Sequence, residues 1–282
     1  MADFDFSHGY QYTGIILFPL SIFGLLSNLT VVVFLRLIPS LNNPFGSLTI
    51  SQAVADCGHQ FIFVFYYAPC LFLNSNVLYS WSSDAGFVIM IFYEICLISH
   101  VFISANRFFA VFTPLTYAQL FSVHNTRIMI GGFWLFSVVS LIYKFKSGDC
   151  SFYLPQGVWM FAYSDTEFCQ NVRTFDFFKF ITYVVIIGAL DIVTIVKISF
   201  LKASNMIGST VSSLAATKPA PHKASTVRRN LQMNLVYQAF FQGSLIFLEL
   251  ITYFVLSPHA RNKWEVFLLT SVTWCTAHAM DG

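Results

Sequence analysis

Long apolar runs separated by short polar stretches recur along the whole chain. A helix needs about 20 apolar residues to cross the ~30 Å hydrocarbon core of a bilayer, and seven runs approach or exceed that length. We predict seven membrane-spanning helices, at approximately 14–36, 46–73, 84–107, 126–143, 178–201, 230–256 and 263–282. The pattern therefore predicts an all-α, multi-pass membrane protein, with a single seven-transmembrane helix bundle over residues 1–282.

The composition also favours a lipid environment. Of the 282 residues, 56% are apolar and only 10% are charged, against about 25% charged in an average soluble domain. So few charges cannot cover a water-facing surface, and we expect most of the outer surface to face the lipid bilayer. The net charge of +2 and the lack of a dense basic patch argue against a nucleic-acid partner.

The lysines and arginines of the predicted loops indicate the orientation. One side receives cations without any acid, whereas the other mixes cations with acids, among them Lys144, Asp176 and Lys179. Because cytosolic loops carry the excess of lysine and arginine, we predict a short extracellular N-terminus, 1–13, and an intracellular loop, 202–229. The Ser-, Ala-, Thr- and Pro-rich composition of this loop indicates a flexible linker, with a partner-binding or phosphorylated loop as the alternative.

Polar side chains inside the apolar runs form stripes. In the second span Gln52, Asp56 and Gln60 recur at i, i+4 and i+8, which places them on one face of a helix. The sixth span carries a similar stripe, formed by Gln238, Gln242, Glu249 and Tyr253, and the seventh carries Trp274, His278 and Asp281. The third and fifth spans carry one acid each, Glu94 and Asp191. Polar groups in membrane helices usually face the bundle interior, so we predict a hydrogen-bonded interior.

Two interpretations of these stripes are open. The groups either only join helices, at about 0.6–2 kcal/mol for each bond, or they contact a ligand and take part in signalling. Asp56 and Glu249 are the strongest functional candidates, because the burial of an ionised carboxylate has no cheap structural justification.

Signatures of catalysis are absent from the sequence. It contains no GxSxG, HExxH, Walker or GxGxxG motif, and its six cysteines show no CxxC or Cys/His metal spacing. His278 and Asp281, at i and i+3, are more typical of a hydrogen bond than of a metal site. We therefore expect no enzyme activity, no cofactor and no metal site.

Two cysteines lie in the long outer loop between the fourth and fifth spans. They are Cys150 and Cys169, in a compartment that permits disulfides. We predict that they pair, and Cys70, at the outer end of the second span, is the rival partner. The other cysteines are interpreted as small buried apolar groups.

Several motifs resemble those of one receptor family. Asn28 in "GLLSN", Asp56 in "AVAD" and Arg107 at the end of the third span resemble the pattern of a rhodopsin-like G-protein-coupled receptor. The stretches "NPFGSLTISQAVAD", "ANRFFAVFTPLTY" and "WCTAHAMDG", with the Cys150–Cys169 loop, are similar to those of the nematode serpentine receptors of class X, a chemosensory family.

The resemblance implies a function. It implies a small-molecule ligand between the outer halves of the helices and a signal to a heterotrimeric G protein, at the plasma membrane and in sensory-neuron cilia. Arg107 stands where such receptors carry Asp-Arg-Tyr, so the resemblance gives it a role in activation and coupling, together with Asn28, Asp56, Asn106 and Asp281. Asn106 replaces the usual acid beside the arginine, and a plain positive-inside anchor is the alternative for Arg107.

The ligand-binding candidates follow from depth and polarity alone. They are Tyr66, Glu94, Tyr183, Glu249, Tyr253 and Trp274. All six are polar or amphipathic side chains within predicted spans, where such groups usually face the interior.

Other functions are kept as alternatives. A small transporter or channel would need a continuous polar path, usually with repeated halves, and the sequence shows no internal repeat. A light sensor would need a lysine in the seventh span, and 264–282 contains none. The sixth span lacks Cys-Trp-x-Pro, and the seventh ends at Asp281-Gly282. A truncated, non-signalling receptor is therefore a further alternative.

Overall fold

The structure, a computed structural model, describes residues 9–39, 42–213, 237–238 and 240–281, and within 202–213 it describes the backbone only. These residues form an all-α bundle of seven spans, as the hydrophobic pattern predicts. The first span is Gly9–Leu37, the third Ser82–Phe112 and the fifth Glu167–Ser213. Two short helices, Asn76–Ser80 and Pro114–Leu120, lie in connections between spans.

The other four spans each contain a π-helical turn. The second consists of Pro44–Ile62, the π turn Phe63–Tyr67 and Ala68–Leu73, and the fourth of Val123–Ile142 and the π turn Tyr143–Ser147. The sixth consists of a helix over 240–251, the π turn Thr252–Leu256 and a 3₁₀ turn, Ser257–His259. The seventh consists of Lys263–Phe267, the π turn Leu268–Val272 and Thr273–Ala279.

Local sequence explains where several spans begin. The Asn43 side chain accepts a hydrogen bond from the Gly46 amide at 2.9 Å, and Pro44 follows at the first helical position, which has no amide to satisfy. Ser122 caps the fourth span in the same way, and Asn262 caps the seventh. Each cap satisfies an amide at the start of a helix that would otherwise lack a partner.

The bundle has an apolar exterior, and its interior combines apolar clusters with buried polar groups. Five helical ranges among the described residues are long and apolar enough to cross a membrane: Gly9–Leu37, Ser82–Phe112, Val123–Ser147, Glu167–Leu201 and Phe240–His259. The third span is central, since 67% of its most apolar stretch is buried, against 28% in the first, fourth and fifth. Large exposed side chains such as Phe65, Leu135 and Phe200 lie on the outside, where a membrane supplies the apolar surroundings.

A short hairpin lies across one end of the bundle, which we call the outer end. Its strands, Phe152–Tyr153 and Ala162–Tyr163, pair antiparallel, and a disulfide joins Cys150 to Cys169 with Cα atoms 4.7 Å apart. Cys70 is a free, buried thiol. The hairpin approaches the third span closely, because a Cβ added to Gly86 would come within 1.8 Å of the Phe152 carbonyl oxygen.

The fifth span is longer than the apolar run predicts. It begins at Glu167 rather than at 178 and continues to Ser213, so the start of the predicted loop 202–229 is helical. The sequence 167–177 contains no glycine or proline, and its scattered polar residues suit a helix end that extends out of the membrane. Residues 1–8 of the predicted N-terminal segment, 214–229 of the predicted loop and the last residue, 282, lie outside the described residues.

Candidate ligand cavity and interior polar network

A small cavity lies beneath the hairpin. Its volume is about 20 Å³, which is room for a single water molecule. Three of the six predicted ligand-binding residues line it, namely Glu249, Tyr253 and Trp274. The rest of its wall is mainly aromatic and includes Tyr93 and Phe152.

The other three predicted residues do not line this cavity. The Tyr66 hydroxyl donates to the Leu78 carbonyl at 2.8 Å. Tyr183 is partly buried and packs against two clusters of buried apolar side chains in the interior of the bundle. Glu94 forms an ion pair with Lys179, with N and O atoms 3.0 Å apart. None of these three side chains lines the cavity, although their depth in the predicted spans suggested it.

Three side chains fasten the hairpin to the bundle. The Trp159 carbonyl accepts hydrogen bonds from the Tyr67 hydroxyl and from the Ser271 hydroxyl, both at 2.7 Å. The Phe161 carbonyl accepts one from the Tyr253 hydroxyl at 3.0 Å. Each of the three donors lies in a π turn, of the second, seventh and sixth span respectively. Because an extra residue in a turn changes the direction of the side chains near it, the π turns account for this convergence.

Glu249 and Trp274 are held by aromatic neighbours. The Tyr93 hydroxyl donates to Glu249 at 2.8 Å, and Glu249 is the one acid among the described residues that line the cavity. The Trp274 ring contacts the Tyr93 ring edge-on, with centroids 5.6 Å apart, and the His59 ring at 4.8 Å. The Trp274 indole nitrogen has no hydrogen-bond partner within the described part of the chain. Trp274 therefore lines the cavity and also packs against His59.

A buried group of four charges borders the hairpin. Lys144 contacts Asp176 at 2.6 Å, and Lys179 lies 3.1 Å from Asp176 as well as 3.0 Å from Glu94. The Tyr163 hydroxyl, in the second hairpin strand, donates to Asp176 at 3.2 Å. Burial, with the Asp176 charge beside it, raises the pKa of Tyr163 well above its ordinary value. Lys144, Asp176 and Lys179 were predicted only as charges on the outer side, so this buried network was missed.

A second polar cluster lies in the middle of the bundle. The His278 Nδ1 atom is 2.7 Å from Asp56 Oδ1, and the His100 Nε2 atom is 3.2 Å from Asp281 Oδ2. The Cys96 thiol lies between the two acids, with its sulfur 3.2 Å from Asp56 Oδ1 and 3.7 Å from Asp281 Oδ2. These contacts bring the second, third and seventh spans together through polar side chains.

Amide side chains hold the backbone around this cluster. Asn28 donates to the His278 carbonyl at 2.9 Å, and Gln242 donates to the Asp281 carbonyl at 3.0 Å. Gln60 donates to the Cys275 carbonyl at 2.9 Å. Asn28, Asp56 and Asp281 were predicted from separate motifs, and they meet at this one place. Gln238, predicted on the same stripe as Gln242, is exposed instead.

Arg107 meets its acid on another helix. Its guanidinium carbon lies 5.1 Å from the centre of the Phe45 ring, and Asp191, fully buried on the fifth span, interacts with it electrostatically. Asn106 beside it is buried, and its side-chain nitrogen has no partner among the described residues. The fifth span thus places one acid in the electrostatic surroundings of Arg107. The sequence marked Asp191 as a membrane acid but not as the partner of Arg107.

The family follows from comparison with known proteins. The family model of the serpentine type 7TM GPCR chemoreceptors Srx matches residues 18–282. The chain belongs to this family. The resemblance inferred from the motifs is therefore confirmed, and so is the function it implied at the level of a G-protein-coupled chemoreceptor.

Individual relatives of this class X receptor agree with the family. It is 26% identical over 298 residues to serpentine receptor class X 45 of Caenorhabditis elegans, covering 100% of this chain and 80% of the relative. It is 26% identical over 263 residues to serpentine receptor class X-43 of the same species, covering 92% and 77%. Melanopsin of Phodopus sungorus is 27% identical over 182 residues, covering 61% of this chain and 37% of melanopsin.

The fold has a counterpart among solved structures. Squid rhodopsin superimposes with a TM-score of 0.76 over 97% of this chain and 79% of that structure, at 19% sequence identity. At this identity the match establishes the helical-bundle fold only. The class X receptor is thus a multi-pass membrane protein with a rhodopsin-like arrangement of helices.

Proposed function

We propose that this receptor binds a small molecule at the cavity beneath the hairpin and relays binding to a heterotrimeric G protein at the opposite end of the bundle. The observation that carries the proposal is the double role of Tyr253. Its side chain lines the cavity, and its hydroxyl holds the hairpin through the Phe161 carbonyl. A ligand that displaces this hydrogen bond acts on the cavity and on the hairpin at once.

The wall of the cavity suggests the chemistry of the ligand. Aromatic rings, Tyr93, Phe152 and Trp274 among them, surround the single carboxylate of Glu249. Aromatic walls favour apolar or aromatic ligand surface, and one placed polar group fixes orientation. We infer a small, mainly apolar ligand that carries one hydrogen-bond donor or one cationic group for Glu249.

Ligand entry requires the hairpin to move. A cavity of about 20 Å³ holds a water molecule but no odorant-sized molecule. The described arrangement is therefore a closed state, and a ligand favours an open one by binding it more tightly. The hydrogen bonds from Tyr67, Ser271 and Tyr253 to the hairpin carbonyls are the contacts that opening must break.

The opposite end of the bundle offers the coupling site. We propose that Arg107, held near Asp191 in the closed state, is released to meet the G protein when the helices separate. Two of its guanidinium nitrogens, Nε and Nη1, have no hydrogen-bond partner within the described residues. A half-buried cation with unused donors can form hydrogen bonds to a new partner.

The cellular location is part of the same proposal. We place the receptor in the plasma membrane, in sensory cilia, with the hairpin and the N-terminus outside the cell. The excess of unopposed lysine and arginine on the other side supports this orientation. The disulfide between Cys150 and Cys169 supports it too, because disulfides persist in extracellular surroundings.

The proposal is tested by cell-based signalling. Cells expressing the receptor and a promiscuous G protein are screened with an odorant panel by calcium imaging, and surface expression is measured for every variant. Glu249→Gln is expected to raise the half-maximal concentration of an activating odorant by about tenfold or more, since it weakens a polar contact to the ligand worth roughly 1–3 kcal/mol. Tyr253→Phe is expected to lower it, because the hydroxyl that it removes holds the hairpin in the closed state.

Tyr66→Phe is the matched control. It also removes one tyrosine hydroxyl, but at a side chain that donates to Leu78 outside the cavity, so the response should not change. Unchanged responses of both cavity variants at normal surface expression would show that the ligand binds elsewhere.

A further inference from the structure

We propose that a groove between the first and second spans binds compact, uncharged apolar molecules that reach it through the bilayer. The groove has a volume of about 510 Å³. Its walls come from residues within 14–19 of the first span and 68–73 of the second, and the largest of their side chains are Ile15, Phe18, Phe72 and Leu73. None of the residues in these walls lines the cavity beneath the hairpin, so this site does not depend on the ligand cavity proposed above.

The groove lies in the outer half of the bundle and is continuous with its lipid-facing surface. The first span begins at the outer end, because a Cβ added to Gly9 would come within 2.7 Å of the Trp159 ring in the hairpin. Ile15 is 55% exposed and Leu73 is 62% exposed, on a part of the surface that the membrane surrounds. A molecule dissolved in the bilayer therefore reaches the groove without any movement of the hairpin.

One glycine and two prolines explain why a gap forms here. Gly14 lies so close to the second span that an added Cβ would come within 2.8 Å of the Ala68 carbonyl oxygen. Pro19 lies inside the first span, and Pro69 lies in the first turn of the outer segment Ala68–Leu73. A proline inside a helix removes a backbone hydrogen bond and bends the helix. Two bent helices that touch at one glycine do not pack evenly along their length, and the gap beside their contact is the groove.

The dimensions of the groove suit a compact molecule better than a lipid tail. Ligand pockets usually have volumes of about 300–1,000 Å³, and the groove falls within this range. Each wall is formed within six residues of helix, which corresponds to about 9 Å at a rise of 1.5 Å per residue. An extended lipid tail crosses half of the ~30 Å hydrocarbon core, so most of its length would lie outside so short a groove.

The chemistry of the walls selects uncharged, rigid molecules. The described residues that form the walls carry no charge and no side-chain hydroxyl or amide, so a charged ligand would lose its hydration without gaining a partner. Because lipid tails are as apolar as the walls, the affinity must come from close packing rather than from the hydrophobic effect. A rigid ring compound loses less conformational freedom on binding than a flexible chain does, and we expect ring compounds to bind best.

One wall of the groove is joined to the contacts that hold the hairpin. The segment Ala68–Leu73 directly follows the π turn Phe63–Tyr67, and the Tyr67 hydroxyl donates to the Trp159 carbonyl. A molecule that packs between Ala68–Leu73 and the first span supports this part of the bundle. Because it binds the folded bundle and not the unfolded chain, it should also raise the stability of the receptor.

Binding is measured on the full chain in nanodiscs of saturated phosphatidylcholine, without G protein. The probe is benzophenone, a compact and apolar ring compound that forms a covalent bond to nearby C–H groups under ultraviolet light, and the labelled residues are mapped by peptide mass spectrometry. Labelling within 14–19 and 68–73 is expected to saturate with benzophenone concentration, whereas labelling elsewhere on the lipid-facing surface should rise in proportion to it. The midpoint of thermal unfolding should rise over the same range of concentration.

Two neighbouring isoleucines provide a matched pair of variants. Ile15 lines the groove, whereas Ile16, which is also exposed, does not. Ile15→Trp places a ring in the groove and should reduce the saturable labelling by about tenfold, because overlap with a well-packed side chain is costly. Ile16→Trp adds the same ring to the lipid-facing surface beside the groove and should leave the labelling unchanged. If Ile15→Trp fails to fold, Leu73→Trp fills the groove from its other wall.

Three results would overturn the proposal. Labelling of the walls in simple proportion to concentration would show that benzophenone is only dissolved in the bilayer. Equal saturable labelling of Ile15→Trp would place the probe at another site. The third result is a lack of saturable benzophenone labelling, together with labelling of the walls by a phospholipid that carries a photoreactive group in its tail, which would assign the groove to a lipid tail. Since no signalling is measured, failure here would leave the proposed ligand cavity untouched.

Discussion

Arg107 illustrates how one side chain depends on partners that are distant in sequence. It stands at the end of the third span, yet its ring contact comes from Phe45 and its acid, Asp191, from the fifth span. The interaction with Asp191 would be lost if the fifth span moved away from the third, whereas Phe45 belongs to the second span and would remain. In the proposed function Arg107 exchanges a buried acid for an external partner, and such a cation can act as a two-state element because each state satisfies it differently.

Asp191→Asn is expected to raise ligand-independent signalling. The change removes the charge that holds Arg107 in the closed bundle, and a loss of about 1.4 kcal/mol would raise the active population roughly tenfold. The measurement is basal cAMP or calcium signal per receptor at the cell surface. Asp84→Asn is the control, because Asp84 forms an exposed pair with Lys146 at the other end. Basal signalling at or below that of the unchanged receptor would contradict this role.

At the residue scale the sequence indicates which side chains are buried but not what they contact. Asp56, Glu249 and Trp274 were recognised as interior groups because of their helical spacing, and all three are buried. Glu94 was recognised in the same way, but its partner, Lys179, was interpreted as a charge on the outer side. The rotation of each helix about its axis decides such partners, and it depends on packing that no local pattern contains.

The hairpin is the element that closes the outer end of the bundle. Its carbonyls at Trp159 and Phe161 accept hydrogen bonds from three spans, and its disulfide ties it to the start of the fifth. Its backbone also passes so close to the third span that only glycine fits at position 86. The position of this loop is therefore determined by contacts on several sides.

Gly86→Ala is expected to destabilise the receptor by displacing the hairpin. The added methyl would collide with the Phe152 carbonyl, a backbone atom that cannot swing away, and overpacking costs about 1–3 kcal/mol. Thermal unfolding in nanodiscs should show a lower midpoint, and odorant responses should change with it.

The control for Gly86 is another helical glycine with free space around it. A Cβ at Gly188 would meet nothing within 4 Å, so Gly188→Ala should be neutral or stabilising by about 0.5–1 kcal/mol. If the two variants unfolded at the same temperature, the close approach of the hairpin would be refuted.

At the element scale hydrophobic runs predict the spans well and their ends less well. Among the described residues, helical spans occur at all seven of the recognised runs, because the bilayer imposes a minimum apolar length on each of them. The extension of the fifth span to Glu167 and to Ser213 was missed because it lies where polar residues replace apolar ones. The π turns were missed as well, since a single extra residue leaves hydrophobicity almost unchanged.

The molecule as a whole is held by packed apolar side chains in its interior and by charged and polar groups buried among them. The four-charge network of Glu94, Lys144, Asp176 and Lys179 connects the third, fourth and fifth spans, and Tyr163 attaches the hairpin to it. Buried pairs of this kind are very sensitive to the loss of one member, because the other is left without compensation.

Asp176→Asn is expected to lower the free energy of unfolding by about 3–5 kcal/mol. It deprives both Lys144 and Lys179 of a contact at 3.1 Å or less. The double variant Lys144→Met with Asp176→Leu should recover most of the loss, because an apolar pair of similar volume needs no compensation. Thermal unfolding of the single and double variants in nanodiscs measures both effects.

Lys146→Met is the control for the loss of one charge from an ion pair that is exposed rather than buried. Lys146 pairs with Asp84 at the exposed surface, where such pairs contribute about 0–1 kcal/mol. A loss for Asp176→Asn no larger than for Lys146→Met would show that the buried network does not stabilise the bundle.

For the whole molecule, the sequence was sufficient for the class of protein and for the family. The scarcity of charge establishes the membrane environment, and short motifs around Asp56, Arg107 and Asp281 indicate the family. The same sequence did not reveal that Asp56, Cys96, His278 and Asp281 meet, because they come from three helices and share no spacing. That meeting is a product of the tertiary packing alone.

The π turns have a consequence for how such receptors diversify. Deleting one residue from Phe63–Tyr67 would restore an ordinary helix and rotate the following segment, Ala68–Leu73, by about 100° about the helix axis. The side chains of this outer segment would then point in different directions. The inner segment, Pro44–Ile62, would keep its register and its contacts with the centre of the bundle. Insertion or deletion at these turns would thus change the outer half of a span in one step and leave the inner half unchanged.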